Sequence, residues 1–435
     1  VSFVRRSTTQ ALIALLALAV MALVCLPADA GASRSQARYL RAANKGAKNL
    51  NRWWVRGLRW YTPVIGGTYN ASLWQTVPIF EAYAGLALAA PTGKHLGQLS
   101  WFAYNAERFL NTDLEPVPGF GNKPDQRGAG KTAWFDDNGW WGMAFLDAYR
   151  ATGNIEFLTD AEIAQNFISV SGWDSTPTRP GGLWWNTNQS FYAGETLAGG
   201  TLLSARLYAL THEQQYLDDA LKFINWANTW LVDPSTGLYA RLRRPGTYPY
   251  QPPDTQSQQA TAASADRTAL AGNPDEAAKL EAAGGGASSG SGGARAAYNN
   301  YPPFAPSPMP YVNGPMILAH QIICDETGKK SFCQRAEQLA ATTLSVYRHF
   351  WMGPQFDFWY VRTMLEFAQK DQNADWYGIV QKNARRALHR SQDGHGLYLR
   401  TWYGKKASWA GAPKGSLQLH AANAALFAWM AALGR

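Results

Sequence analysis

Two adjacent carboxylates, Asp136 and Asp137, stand among three tryptophans and a phenylalanine in Trp134-Phe135-Asp136-Asp137-Asn138-Gly139-Trp140-Trp141. Acids are ordinarily solvated and tryptophans ordinarily buried, so their mixture needs a reason. One reason is a sugar-binding cleft, in which flat aromatic faces hold a pyranose and a carboxylate pair cleaves its bond. The other is local: acids are favoured at helix starts, and a helical pattern runs on from Gly142 to Tyr149.

Two further stretches resemble this one. Gly181-Gly182-Leu183-Trp184-Trp185-Asn186 precedes a helical pattern, and so does Met309-Pro310-Tyr311-Val312-Asn313-Gly314. Three aromatic-polar loops at comparable positions predict a common funnel, with Trp134, Trp140, Trp141, Trp184, Trp185, Tyr311 and Asn313 as candidate substrate-binding residues. The alternative for each is a packed turn or hydrophobic staple. Nineteen tryptophans in 435 residues exceed what a core of ordinary composition needs.

Positioning these loops requires a frame, and helical periodicity supplies it. Amphipathic stretches lie at about 36–54, 71–90, 94–112, 138–152, 156–171, 191–210 and 213–231. Five more lie at 310–325, 331–349, 356–371, 374–391 and 415–433. Thr152-Gly153 recurs in register as Thr211-His212, 59 residues on; the same signal recurs at Thr327-Gly328 and, more faintly, at Thr92-Gly93. Gly ends one helix in a left-handed turn, and a short link lets the next start antiparallel. Six such hairpins predict an all-α (α/α)6 toroid, an open solenoid being the alternative. Residues 31–435 then form one domain, interrupted at about 251–300 by a Gly-, Ala- and Ser-rich insertion too poor in apolar residues to repay its ordering.

Residues 1–30 have the layout of a secretory signal: Arg5 and Arg6, an apolar run from Ala11 to Leu26, and a cleavage pattern at Ala28-Asp29-Ala30. The expectation is a secreted or envelope protein, monomeric and not membrane-spanning. Cys324 and Cys333 then predict a disulfide across a short turn, with two reduced thiols as the alternative. The seven histidines show no metal-ligand spacing, so neither metal nor organic cofactor is expected. The net charge of +9 suits loose association with an anionic envelope. The basic residues look dispersed and carry no nucleic-acid motif, so no nucleic-acid partner is expected.

The run Asp136-Asp137-Asn138-Gly139-Trp140-Trp141-Gly142-Met143-Ala144, with Asp147-Ala148-Tyr149 and Thr152-Gly153-Asn154 after it, resembles the signature of glycoside hydrolase family 76. The resemblance extends to Gly182-Leu183-Trp184-Trp185-Asn186, Leu207-Tyr208, Tyr216-Leu217 and Val361-Arg362. It implies an (α/α)6 retaining hydrolase of α-1,6-linked mannan or a related α-mannose-rich polysaccharide, with Asp136 as nucleophile and Asp137 as general acid/base. A transglycosidase on envelope glycans, or a glycan-binding protein on the same scaffold, are the alternatives. The sequence departs from the family pattern at 191–200, at Tyr311-Val312-Asn313-Gly314 and at Phe356-Asp357-Phe358, where substrate subsites are expected.

Overall fold

A computed structural model of the chain describes residues 33–177, 181–189, 191–243, 308–347, 350, 353–405 and 414–435. Both the signal pattern at 1–30 and the insertion at 251–300 lie outside these residues. Twelve α-helices occur among them: α1 Arg34–Asn49, α2 Leu73–Ala89, α3 Gly93–Ala106, α4 Phe135–Thr152, α5 Ile155–Asn166, α6 Gly194–Thr211, α7 Gln214–Trp230, α8 Pro310–Thr327, α9 Lys330–Val346, α10 Pro354–Asp371, α11 Ala374–Arg390 and α12 Leu417–Leu433. Each falls on one of the twelve amphipathic stretches.

The even-numbered helices form an inner ring in which each packs on the next, and α12 closes it against α2. The odd-numbered helices lie outside, α1 against α12 and each of the others against the inner helix that precedes it. The closed (α/α)6 toroid expected from the hairpin repeat is therefore the fold. Inner helices α2, α4, α8 and α12 are buried along almost their whole length, whereas outer α1 buries one face only, through Tyr39, Ala42, Ala43, Gly46 and Ala47. A helix apolar all round must be surrounded, and an amphipathic one can only coat.

Local chemistry sets the helix ends. Ser33 with Gln36 and Ser72 with Gln75 form capping boxes. Gly153 and Gly328 end α4 and α8 in the left-handed region, at φ 71° in both, and His212 takes that role after α6 at φ 57°. Thr92-Gly93 departs from the expectation: Thr92 caps the start of α3 and Gly93 is its first residue. Cys324 and Cys333 are disulfide-bonded, joining the end of α8 to the start of α9.

Every inner helix begins at the same end of the ring, after a connection from the preceding outer helix. Two of these connections carry two-stranded antiparallel ribbons of their own, pairing Trp54–Val55 with Trp60–Tyr61 and Leu110–Asn111 with Gly119–Phe120, and a third ribbon joins two connections by pairing Tyr192–Ala193 with Leu242–Arg243. The connections at the other end are short turns. Long loops at one end and turns at the other leave one end able to hold a site.

Candidate active site

Asp136 and Asp137 are the second and third residues of α4. The N-cap is Trp134, which makes no side-chain capping bond, so the pair are not caps. Both carboxylates are buried, with 1% and 2% exposure. Backbone pairing fixes what lies over them: Phe135 N–H donates to Trp185 O at 2.9 Å, Thr187 N–H to Ala133 O at 3.0 Å, and Trp134 bridges Asn186. The second aromatic loop is thereby laid across the start of α4, and Trp185 Nε1 donates to Asp136 Oδ2 at 3.1 Å. Trp184 turns away to pack on Tyr192, with ring centroids 4.4 Å apart.

Trp140, one turn beyond Asp136, stacks between Tyr311 and Trp359 at 5.1 and 4.5 Å. Tyr311 also contacts Trp74 and Phe356, which gathers the starts of α2, α4, α8 and α10 around one point. Burial raises the Tyr311 phenol well above its usual range, and the charges of Asp136, Glu195 and Asp137 raise it further. The hydroxyl stays protonated and available as a donor beside three carboxyls.

Glu195 was not among the residues singled out from the sequence. A Cβ on Gly139 would stand 3.1 Å from the Gly199 backbone, so α4 and α6 touch there. Asp136 lies three residues before Gly139, and Glu195 four before Gly199. In parallel helices this sets both acids about one turn above the contact, side by side. Arg241 pairs with Glu195 Oε1, while Oε2 accepts no hydrogen bond. Burial raises the Glu195 pKa against the pull of Arg241, and the Asp136 charge adds to the rise. The 59-residue repeat that relates Thr152 to Thr211 also carries Asp136 onto Glu195 and was the signal available for finding it.

Two of the expected sugar-binding residues have other work. Trp141 points away from the ring axis and packs with Phe80, Phe109 and Phe145 at 5.3 to 6.0 Å, between α2, α3 and α4. As the neighbour of Trp140 it projects about 100° away around the helix, so only one of the two can face the axis. Asn313 clamps a loop: its Oδ1 accepts from Tyr239 N–H at 2.9 Å, and its Nδ2 donates to the carbonyls of Tyr239 and Met309. Asn138 makes the same clamp on Phe120 at the start of α4. An amide saturated by backbone partners has nothing left to offer a sugar.

Below the aromatic layer lies a knot of charge. Arg362 pairs with Glu81 and Asp147 and stacks over Trp429 at 4.0 Å, and Arg206 pairs with Glu366. Burial pushes Glu81 up to about 7 despite Arg362. Burial also acts upward on Asp147, yet Arg362, Arg206 and Arg150 prevail and hold it below the usual carboxylate range. Acid pair, aromatic layer and ion knot descend the axis in that order, along Asp136, Trp140 and Asp147 on one face of α4.

A helical toroid with paired carboxyls at the loop end has the groups that retaining glycoside hydrolysis needs. Residues 125–242 match the model of glycosyl hydrolase family 76. The fold matches a family 76 α-mannanase of Bacteroides thetaiotaomicron with a TM-score of 0.68 at 16% identity, covering 91% of this chain and 95% of that one. It matches the α-1,6-mannanase of Salegentibacter sp. with a TM-score of 0.64 at 15% identity, over 91% and 99%. Dfg5 of Chaetomium thermophilum, crystallised with glucosamine, gives 0.60 at 13% identity, over 91% and 90%. No curated protein sequence matches the chain. The resemblance to family 76 is thus borne out, by sequence over 125–242 and by fold over the remainder. Among the described residues no helix is long and apolar enough to cross a membrane.

Proposed function

We propose that the protein is an exported retaining glycoside hydrolase of α-1,6-linked mannan or a related α-mannose-rich polysaccharide. The observation that carries this reading is the placement of Asp136 and Asp137 in the first turn of an inner helix, at the loop end of the ring, with Trp185 bonded to Asp136. Asp136 attacks the anomeric carbon while Asp137 protonates the departing glycosidic oxygen, leaving a glycosyl ester on Asp136. Asp137 then takes a proton from water, whose oxygen attacks the same carbon and frees the carboxylate. The indole N–H of Trp185 holds the Asp136 carboxylate in one orientation through both steps.

The substrate assignment is supported by relatives of the same fold. The Salegentibacter enzyme is an α-1,6-mannanase, and its inactive variant, with two consecutive aspartates replaced by alanine, was crystallised with α-1,6-mannotetrose. The likeness to Dfg5 with glucosamine bound keeps transfer to a second sugar as the other reading. Export rests on the Ala28-Asp29-Ala30 pattern and the apolar run before it.

Incubation of α-1,6-mannan with the wild type, Asp136→Asn and Asp137→Asn, followed by sizing of the products, tests the reading. Short oligosaccharides from the wild type alone are expected. Binding without turnover in all three would reduce the protein to a glycan-binding scaffold, and products longer than a short donor would favour transfer.

A further inference from the structure

The outer wall of the ring carries a feature that catalysis at the loop end does not use. Along α1, Arg34, Arg38, Arg41, Lys45 and Lys48 recur at alternating steps of four and three, and Arg52 continues the row in the following turn. That spacing keeps all six on one face, and all six are exposed. No acid interrupts them: none occurs between Asp29 and Glu81. The row is about 25 Å long, with neighbouring charges about 5–6 Å apart.

The fold widens this row into a wall. Outer helix α11 lies alongside, with Arg38 Nη2 3.3 Å from His389 Nε2, and it exposes Lys382, Arg385 and Arg390. On this side Asp375 stands at the far first turn of α11, and the Asp393 carboxylate accepts the N–H groups of His395 and Leu397. Like charges concentrated in this way cost stability unless something neutralises them.

At the Arg52 end the row meets an open pocket of about 520 Å³ between α3 and the segment that follows α1. Trp54 and Trp101 form its walls, edge to face at 5.1 Å, and Trp101 is 43% exposed. The hydroxyls of Tyr61 and Tyr83 lie 3.5 Å apart beneath them, and Asn51 and Lys94 stand at the rim. Flat apolar faces ringed by hydrogen-bonding groups suit a sugar ring. A duplex is too wide to enter such a pocket, and a flat bilayer cannot reach its floor.

We propose that this outer wall binds a linear anionic glycan, with its acidic groups along the α1 row and one sugar ring in the pocket against Trp54 and Trp101. The site is separate from the acid pair and does not depend on the hydrolase reading. Held there, an anionic envelope polymer would keep the protein at its surface while the loop end of the ring faced elsewhere.

The test uses the full chain and fluorescent heparin oligosaccharides as the polyanionic glycan probe. Binding that weakens steeply with salt is expected. Lys45→Gln/Lys48→Gln should weaken it about tenfold, while Lys329→Gln/Lys330→Gln, an equal loss of charge on another wall, should leave it unchanged. Trp101→Ala should weaken it severalfold without changing activity on mannan. Equal weakening by the two double variants would overturn the proposal. So would an unaffected Trp101→Ala, or tighter binding of single-stranded DNA or phosphatidylglycerol vesicles than of heparin.

Discussion

Trp185 donates its indole N–H to Asp136 Oδ2. Replacing it with Phe keeps the ring and removes the donor. A hydrogen bond to a charged group is worth about 1.5 kcal/mol or more, so kcat on mannan should fall about tenfold or more with little change in Tm. An unchanged kcat would remove Trp185 from the machinery. Asn313→Ala should behave oppositely, because it strands the backbone of Tyr239 and Met309 without touching the acids. A loss of about 1–3 kcal/mol in urea unfolding with KM unchanged is expected; a raised KM with intact stability would return Asn313 to the substrate. At this scale the sequence showed which residue types converge but not their directions. Trp140 and Trp141 are indistinguishable by type, and only the turn of α4 sends one to the axis and the other into the core. Glu195 was hidden for a different reason: its segment, Phe191–Gly200, departs from the family pattern, and the repeat is marked by residue type at hairpin turns but not at helix starts, where Asp136 and Glu195 differ.

Between helices, contact distance and charge hold the ring. Gly314 of α8 faces α10 so closely that an added Cβ would meet the Tyr360 Cα at 2.8 Å. Gly314→Ala should cost about 1–3 kcal/mol through overpacking, visible as a lower urea midpoint; an unchanged midpoint would show that the two helices separate freely. The knot around Arg362 joins α2, α4, α6, α10 and α12. Its acids titrate with opposite sign. Glu81, raised from 4.5 to about 7, contributes stability that is full below pH 4.5 and is lost as pH rises through about 7. Asp147, held low, contributes stability that is present above its ordinary range and is lost as pH falls. Glu81→Gln should therefore flatten the decline in stability between pH 4.5 and 7, and an identical pH profile in the variant would refute the assignment. Helix positions were legible because the apolar period is strong in every hairpin. The knot was not, since its members come from helices as distant in sequence as Glu81 and Arg362.

At the scale of the molecule, closure of the ring was readable from twelve helical stretches that pair as six hairpins, because a stack of that number must either close or leave two apolar ends exposed. The basic wall was not legible. Its residues looked dispersed when counted, although α1 places six on one face, and the neighbouring α11 is more than three hundred residues away in sequence. The loop end collects the acids and the outer wall collects the cations, which separates chemistry from attachment. On the proposed function, Asp136 at the loop end forms and releases a glycosyl ester, and two displacements preserve the anomeric configuration. Proton NMR of α-1,6-mannan in the first minutes of reaction tests this directly. New reducing ends appearing first as the α-anomer, before mutarotation, are the predicted result. First appearance of the β-anomer, or no release by the wild type, would contradict the account.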